Sequence, residues 1–123
     1  MPADRGTGGR EPMVIFARTY DLVAWLIPAT LRFPRAQRFV VTRRLQDAAL
    51  SFQECLIEAN RRSGQARLER LRAADAELGK VRFYLRLAVR WQWLSEGQYA
   101  HVSAMVQEVG KLLGGWIRQT TRG

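Results

Sequence analysis

Apolar positions along this chain recur at three- and four-residue steps, the period of amphipathic helices, and no strand pattern competes with them. The longest such stretch is Ala66 to Trp93, which contains no proline and one glycine, Gly79, and is rich in Leu, Ala, Arg and Glu. Leu68, Leu71, Leu78, Leu85 and Val89 form its stripe. At about 1.5 Å per residue this helix is roughly 40 Å long, and in a short chain it must be covered by the others. Asp75 and Arg82 fall where the stripe asks for apolar residues. Either they sit at its margin and reach water, or they form a buried or interfacial pair, because a charge taken out of water needs a partner.

Three further helices are predicted. Met13 to Thr30 ends at Pro28 or soon after. It carries one stripe of Ile15, Leu22, Leu26 and Ala29 and a second of Phe16, Tyr20, Val23 and Ile27. A helix apolar over so much of its girth is central or buried against another subunit. Arg18 and Asp21 offer a local ion pair. Leu31 to Arg35 forms a connection, and Pro34 can start the next helix.

The second helix, Ala36 to Arg62, has a core stripe of Val41, Leu45, Ala48, Phe52, Cys55 or Leu56, and Ala59. Leu50 and Ile57 lie off it and suggest a second buried face. Gly64 supplies a left-handed cap, and Arg61 and Arg62 suit the negative end of the helix dipole. Ser95 with Gln98 makes a capping-box pattern that starts the fourth helix, Glu96 to Gln119. Its core side carries Val102, Met105 or Val106, Val109, Leu112 or Leu113, and Trp116 or Ile117. Gly110, Gly114 and Gly115 suggest close approach of a neighbour.

The fold class is therefore all-α, an up-down-up-down four-helix bundle over residues 13–119. Residues 1–12, rich in glycine, proline and charge, read as a disordered tail, and residues 120–123 as a short basic one. The length of 123 residues and the 47% hydrophobic composition suit one compact domain. No apolar run is long enough to cross a bilayer, and the N-terminus lacks the apolar stretch of a signal peptide, so a cytoplasmic protein without a membrane partner is expected.

Charge changes the picture most. Lys and Arg number 20 against 11 Asp and Glu, for a net charge of +9. The surplus predicts attraction to polyanions, nucleic acid or an acidic protein face. Arg32, Arg35 and Arg38 make the connection after the first helix basic, and Arg43 and Arg44 follow. Arg82, Arg86 and Arg90 project in one row along the third helix at four-residue steps. Such a row needs an anionic partner, nearby carboxylates or plain solvation, and phosphate suits the forked donors of arginine best.

Catalysis finds little support. His101 is the only histidine and Cys55 the only cysteine, so neither a histidine-based metal cage nor a locally spaced Cys-His dyad is present. Cys55 reads as a buried inert thiol. Asp75/Glu77 and Glu54/Glu58 lack the Glu-x-x-His pattern of di-metal bundles. There is no phosphate-binding glycine loop. A binding protein with no metal, cofactor or catalytic residues is expected. Trp25 and Trp116 read as core. Of Trp91 and Trp93, one must face outward on a helix, where interface packing is expected.

The stretch Ala73-Ala-Asp-Ala-Glu-Leu-Gly-Lys-Val-Arg-Phe-Tyr-Leu-Arg-Leu87, with Val109-Gly-Lys-Leu-Leu-Gly-Gly-Trp-Ile-Arg118, resembles the accessory variability determinant (Avd) of diversity-generating retroelements. Leu26-Ile-Pro28 and the Phe33-Pro34-Arg35 turn resemble that family's first helix and corner. The likeness covers nearly the whole chain apart from the N-terminal tail and shades into the four-helix proteins of ribosomal RNA intervening sequences. It implies a bundle that assembles into a barrel-shaped homopentamer. It also implies a reverse transcriptase partner, binding of template RNA or DNA, and support of mutagenic retrohoming. The alternative is an oligomeric scaffold of the intervening-sequence type, in which the arginines pair with carboxylates such as Asp75, Glu77 and Glu69.

Overall fold

A computed structural model describes residues 3–123, with side chains from residue 13 onward. Four helices make up the chain: α1 (Ala3–Thr30), α2 (Arg43–Asn60), α3 (Gly64–Arg90) and α4 (Glu96–Arg122). Each packs on the next, and α4 returns to α1, closing a four-helix bundle with no strand among the described residues. The helix α1 begins at Ala3 rather than Met13, and its first core residue is Ile15. The expected tail over residues 1–12 lies outside the described side chains, and at residues 1 and 2 outside the described residues altogether. At the other end α4 runs through Arg122, so most of the expected 120–123 tail is helical.

The core follows the predicted stripes with one correction. On α3 the buried residues are Leu68, Leu71, Ala74, Leu78, Val81, Leu85 and Ala88. From Leu71 onward they step three, four, three, four, three, the heptad period of a bundle seam. The seam thus passes through Ala74, Val81 and Ala88 rather than Asp75, Arg82 and Val89, and Asp75 and Arg82 are both exposed. Small alanines at the seam let neighbouring backbones come close, and no buried charge pair is needed.

The beginning of the second helix also differs. A 3₁₀ turn at Arg35–Gln37 and a π-helical segment at Arg38–Thr42 precede α2. The wide turn places two consecutive residues, Val41 and Thr42, on the core side. Deeper in α2, Leu45, Ala48, Ala49, Phe52, Leu56 and Ala59 are buried, whereas Cys55 is half-buried.

Helix ends are closed by specific contacts. Ser95 accepts from Gln98 N–H at 3.0 Å while the Gln98 side chain accepts from Ser95 N–H at 2.9 Å, completing the capping box. The third helix stops at Arg90, short of Trp93, because Gln92 takes a left-handed conformation (φ 63°). Trp93 N–H then donates to Ala88 O at 2.8 Å and Gln92 N–H to Val89 O at 3.0 Å, the Schellman arrangement. Gly64 has φ 58°, as the turn after α2 requires, but stands as the first residue of α3. The C-terminal carbonyl of α2 at Ala59 accepts from Arg67 Nε at 3.0 Å, in addition to the turn donors that follow α2. Arg67 also lies over the Trp116 ring, 5.6 Å from its centre.

Two expectations about α1 change. Arg18 pairs with Glu108 of α4 at 3.0 Å, across the bundle surface, not with Asp21. The segment Met13–Thr30, 18 residues with a mean hydropathy of 1.2, is long and apolar enough by length and composition to cross a membrane, contrary to the reading of the sequence. Arg18 and Asp21 interrupt its run without lowering the average enough. In the fold its Ile15, Leu22 and Leu26 are buried in the core, while Tyr20, at 72% exposure, faces outward.

Candidate nucleic-acid interface

Up-down-up-down connectivity collects the end of α1, the start of α2, the end of α3 and the start of α4 at one end of the bundle. Phe33 and Trp93 join the two connections there, with ring centres 5.4 Å apart, and Trp91 packs 5.0 Å from Trp93. Trp91 is half-exposed, as one of the pair had to be. The eight arginines singled out in the sequence, Arg32, Arg35, Arg38, Arg43, Arg44, Arg82, Arg86 and Arg90, therefore lie on elements that meet at or lead to this end. All eight are exposed.

They do not form one site. Arg82 and Arg86 line a groove of about 480 Å³ between α3 and α4. Arg35 and Arg38 line a hollow of about 530 Å³ at the α1–α2 corner, with Thr30 and Gln46 in its wall. Thr30 is held there by donating to Ile27 O at 2.7 Å and accepting from Gln46 Nε2 at 2.8 Å. Arg43 sits 3.7 Å from Asp47 in an exposed pair, an arrangement of little energetic weight. Arg44 lines a shallower depression with Lys80 that also contains Asp47 and Glu77. Arg90 borders the α3–α4 turn beside Trp91 and Glu96. Arg32 is exposed on the connection after α1, outside these hollows.

The α3–α4 groove is the most distinctive of these. One wall is the arginine row of α3. The other is Tyr99, Ser103, Gln107 and Lys111, which follow one another at four-residue steps on α4. The floor is Leu85, Val106 and Gly110, and no carboxylate lines the groove. Lys111 was missed as a candidate, although the polar four-residue row ending at it is visible in the sequence. Gly110 explains how the walls meet: a Cβ there would lie 2.7 Å from Arg82 Nη2, so the guanidinium occupies space that any side chain would take.

Carboxylates do not neutralise this row among the described residues. The ion pairs there are Arg18–Glu108, Arg43–Asp47, Arg70–Glu58 and Lys80–Glu77. Of the carboxylates expected to serve a scaffold, Glu77 takes Lys80, and Asp75 and Glu69 take no cation among the described residues. No cluster of three or more His, Cys, Asp or Glu side chains suited to a metal occurs among the described residues. His101 is exposed and packs against Trp25, ring centres 5.4 Å apart.

No curated protein matches the chain. Among solved structures, a protein of unknown function from the S23 ribosomal protein family of Bacteroides thetaiotaomicron VPI-5482 superposes with a TM-score of 0.80. The two share 18% identity over 88% of this chain and 98% of that one, which establishes a shared fold. The model of the bAvd-like family matches residues 13–120, from the first described side chain of α1 nearly to the end of α4, and by that match the chain belongs to the bAvd-like family.

Proposed function

We propose that this protein is a non-catalytic accessory factor of a diversity-generating retroelement. It binds the reverse transcriptase and nucleic acid, template RNA or its cDNA, through its basic surface, and supports mutagenic retrohoming in the cytoplasm. Membership of the bAvd-like family over residues 13–120 carries this reading. The carboxylate-free groove lined by Arg82 and Arg86 and the basic α1–α2 corner support it, because phosphate is the anion that arginine forks recognise best.

The working form is a barrel-shaped homopentamer. Tyr20, Leu31, Phe39, Val40, Leu50 and Ile57 leave apolar surface exposed on α1, α2 and their connection, which a lone soluble subunit does not need. Neighbouring subunits cover it, including the outer stripe of α1, and no lipid is required.

Electrophoretic retardation of RNA and single-stranded DNA at low and moderate salt tests nucleic-acid binding, and co-elution with a retroelement reverse transcriptase tests the partner. Retardation that weakens steeply with salt is expected. Absence of retardation even at low salt, with a monodisperse oligomer, instead selects the pure scaffold.

A further inference from the structure

Among the basic surfaces, the α3–α4 groove has features that a general phosphate-attracting patch does not need. It has an apolar floor, a half-buried aromatic ring on one wall and hydrogen-bonding side chains beside that ring. Its volume of about 480 Å³ falls in the range of small-ligand sites, roughly 300–1,000 Å³. We propose that this groove seats a short unpaired stretch of a single strand, with Arg82, Arg86 and Lys111 on its phosphates and one base laid against Tyr99. The proposal rests on the nucleic-acid-binding reading above and narrows it to unpaired nucleic acid.

The chemistry divides along the groove. Cations come from both walls, two arginines on α3 and a lysine on α4, so an anion between them is approached from two sides. None of the three takes part in an ion pair among the described residues. Gly110 leaves room for the Arg82 guanidinium to lie across α4, toward the groove. Tyr99 stands about 18 Å before Lys111 along α4, with the Ser103 hydroxyl and the Gln107 amide between them, a span that takes a few nucleotides of an extended strand. A ring face stacks on any base, and hydroxyl and amide groups can meet a base edge.

A duplex can offer phosphates to the arginines, but its bases are paired and stacked and cannot enter the groove. An acidic peptide satisfies the cations too, yet it has no use for a ring face over an apolar floor. Single-stranded nucleic acid uses all of these features.

The test is fluorescence anisotropy on the full chain with a labelled short oligothymidylate and a blunt-ended duplex of equal phosphate count. Expected is tighter binding of the single strand. Arg82→Gln combined with Arg86→Gln lowers that affinity roughly tenfold or more. Tyr99→Leu, which keeps an apolar body against the core, lowers it about fivefold or more and leaves duplex binding unchanged. The charge-matched pair Arg61→Gln with Arg62→Gln, in the turn before α3 and about 30 Å from Arg82 along the bundle, alters neither. Circular dichroism confirms that each variant is folded.

Equal binding of strand and blunt-ended duplex, or equal losses for both in the Tyr99 variant, overturns the nucleotide seat while general nucleic-acid binding stands. Displacement of the oligothymidylate by oligoglutamate at equal charge concentration also overturns it, in favour of an acidic peptide. If the unaltered protein binds neither probe at low salt, the underlying reading fails with it.

Discussion

Two glycines inside long helices make a matched experiment on whether Arg82 is free to move. Replacing glycine by alanine in a helix interior stabilises by about 0.8–1.0 kcal/mol, partly by restricting the unfolded chain. At Gly79 an added Cβ meets nothing within 4 Å, so Gly79→Ala receives that gain in full. At Gly110 the Cβ meets Leu78 Cδ2 at 3.6 Å, an ordinary contact, and Arg82 Nη2 at 2.7 Å, which must shift. The obstacle is the far end of an exposed, flexible side chain without an ion-pair partner among the described residues. Moving it to another rotamer costs a fraction of about 1 kcal/mol. Gly110→Ala is therefore expected to stabilise as well, within about 0.5 kcal/mol of Gly79→Ala. Urea unfolding at one fixed protein concentration measures both, with each kcal/mol worth about 4 °C in a parallel thermal scan. A Gly110 variant more than about 1.5 kcal/mol below the Gly79 variant refutes the reasoning, since a loss that size means Arg82 is pinned by a charge-assisted hydrogen bond. The cation available to the groove would then not exist.

Leu50→Asp with Ile57→Asp, both at exposed apolar positions on α2, should lower the mass in light scattering from oligomer to monomer while leaving the helical circular dichroism intact. Unchanged mass places the subunit contact elsewhere. Phe52→Ala, at a fully buried position, should cost about 3–5 kcal/mol in urea unfolding, and a loss below about 1 kcal/mol contradicts its place in the core. Gln92→Gly should stabilise by up to about 1 kcal/mol, because the left-handed turn that ends α3 strains any residue with a Cβ. Burial pushes the Cys55 thiol up, against the opposing pull of Arg70. Alkylation should therefore be slower in the folded than the unfolded chain near neutral pH, a gap that narrows as pH climbs through the raised value. The stability linked to this thiol is whole below its ordinary range and is lost over the same climb, and equal alkylation rates in both states would contradict it.

Local signals settled most of what this chain is. Three- and four-residue spacing placed α1 to α4, and Ser95 with Gln98 marked the start of α4 where the capping box forms. The chain's helical motifs pointed to the Avd family, and the match over residues 13–120 bears that out. These are legible because each depends on neighbours within a few residues. The π-helical start of α2 was not, since it serves to bring Val41 and Thr42 inward together, a demand made by the rest of the bundle. The seam of α3 was likewise misplaced by one residue at Ala74, Val81 and Ala88, because an alanine is read as core only when a neighbouring helix is known to press on it. The length and apolarity of α1 were underestimated for a bilayer, and its burial within the bundle is a tertiary matter. Spacing along α3 showed a row of arginines, but Lys111, Tyr99 and Gly110 joined that row only when α4 packed beside it. The residues of a helix face are determined by its own sequence. What stands opposite that face depends on which helices pack together, and that is decided by burial summed over the whole chain.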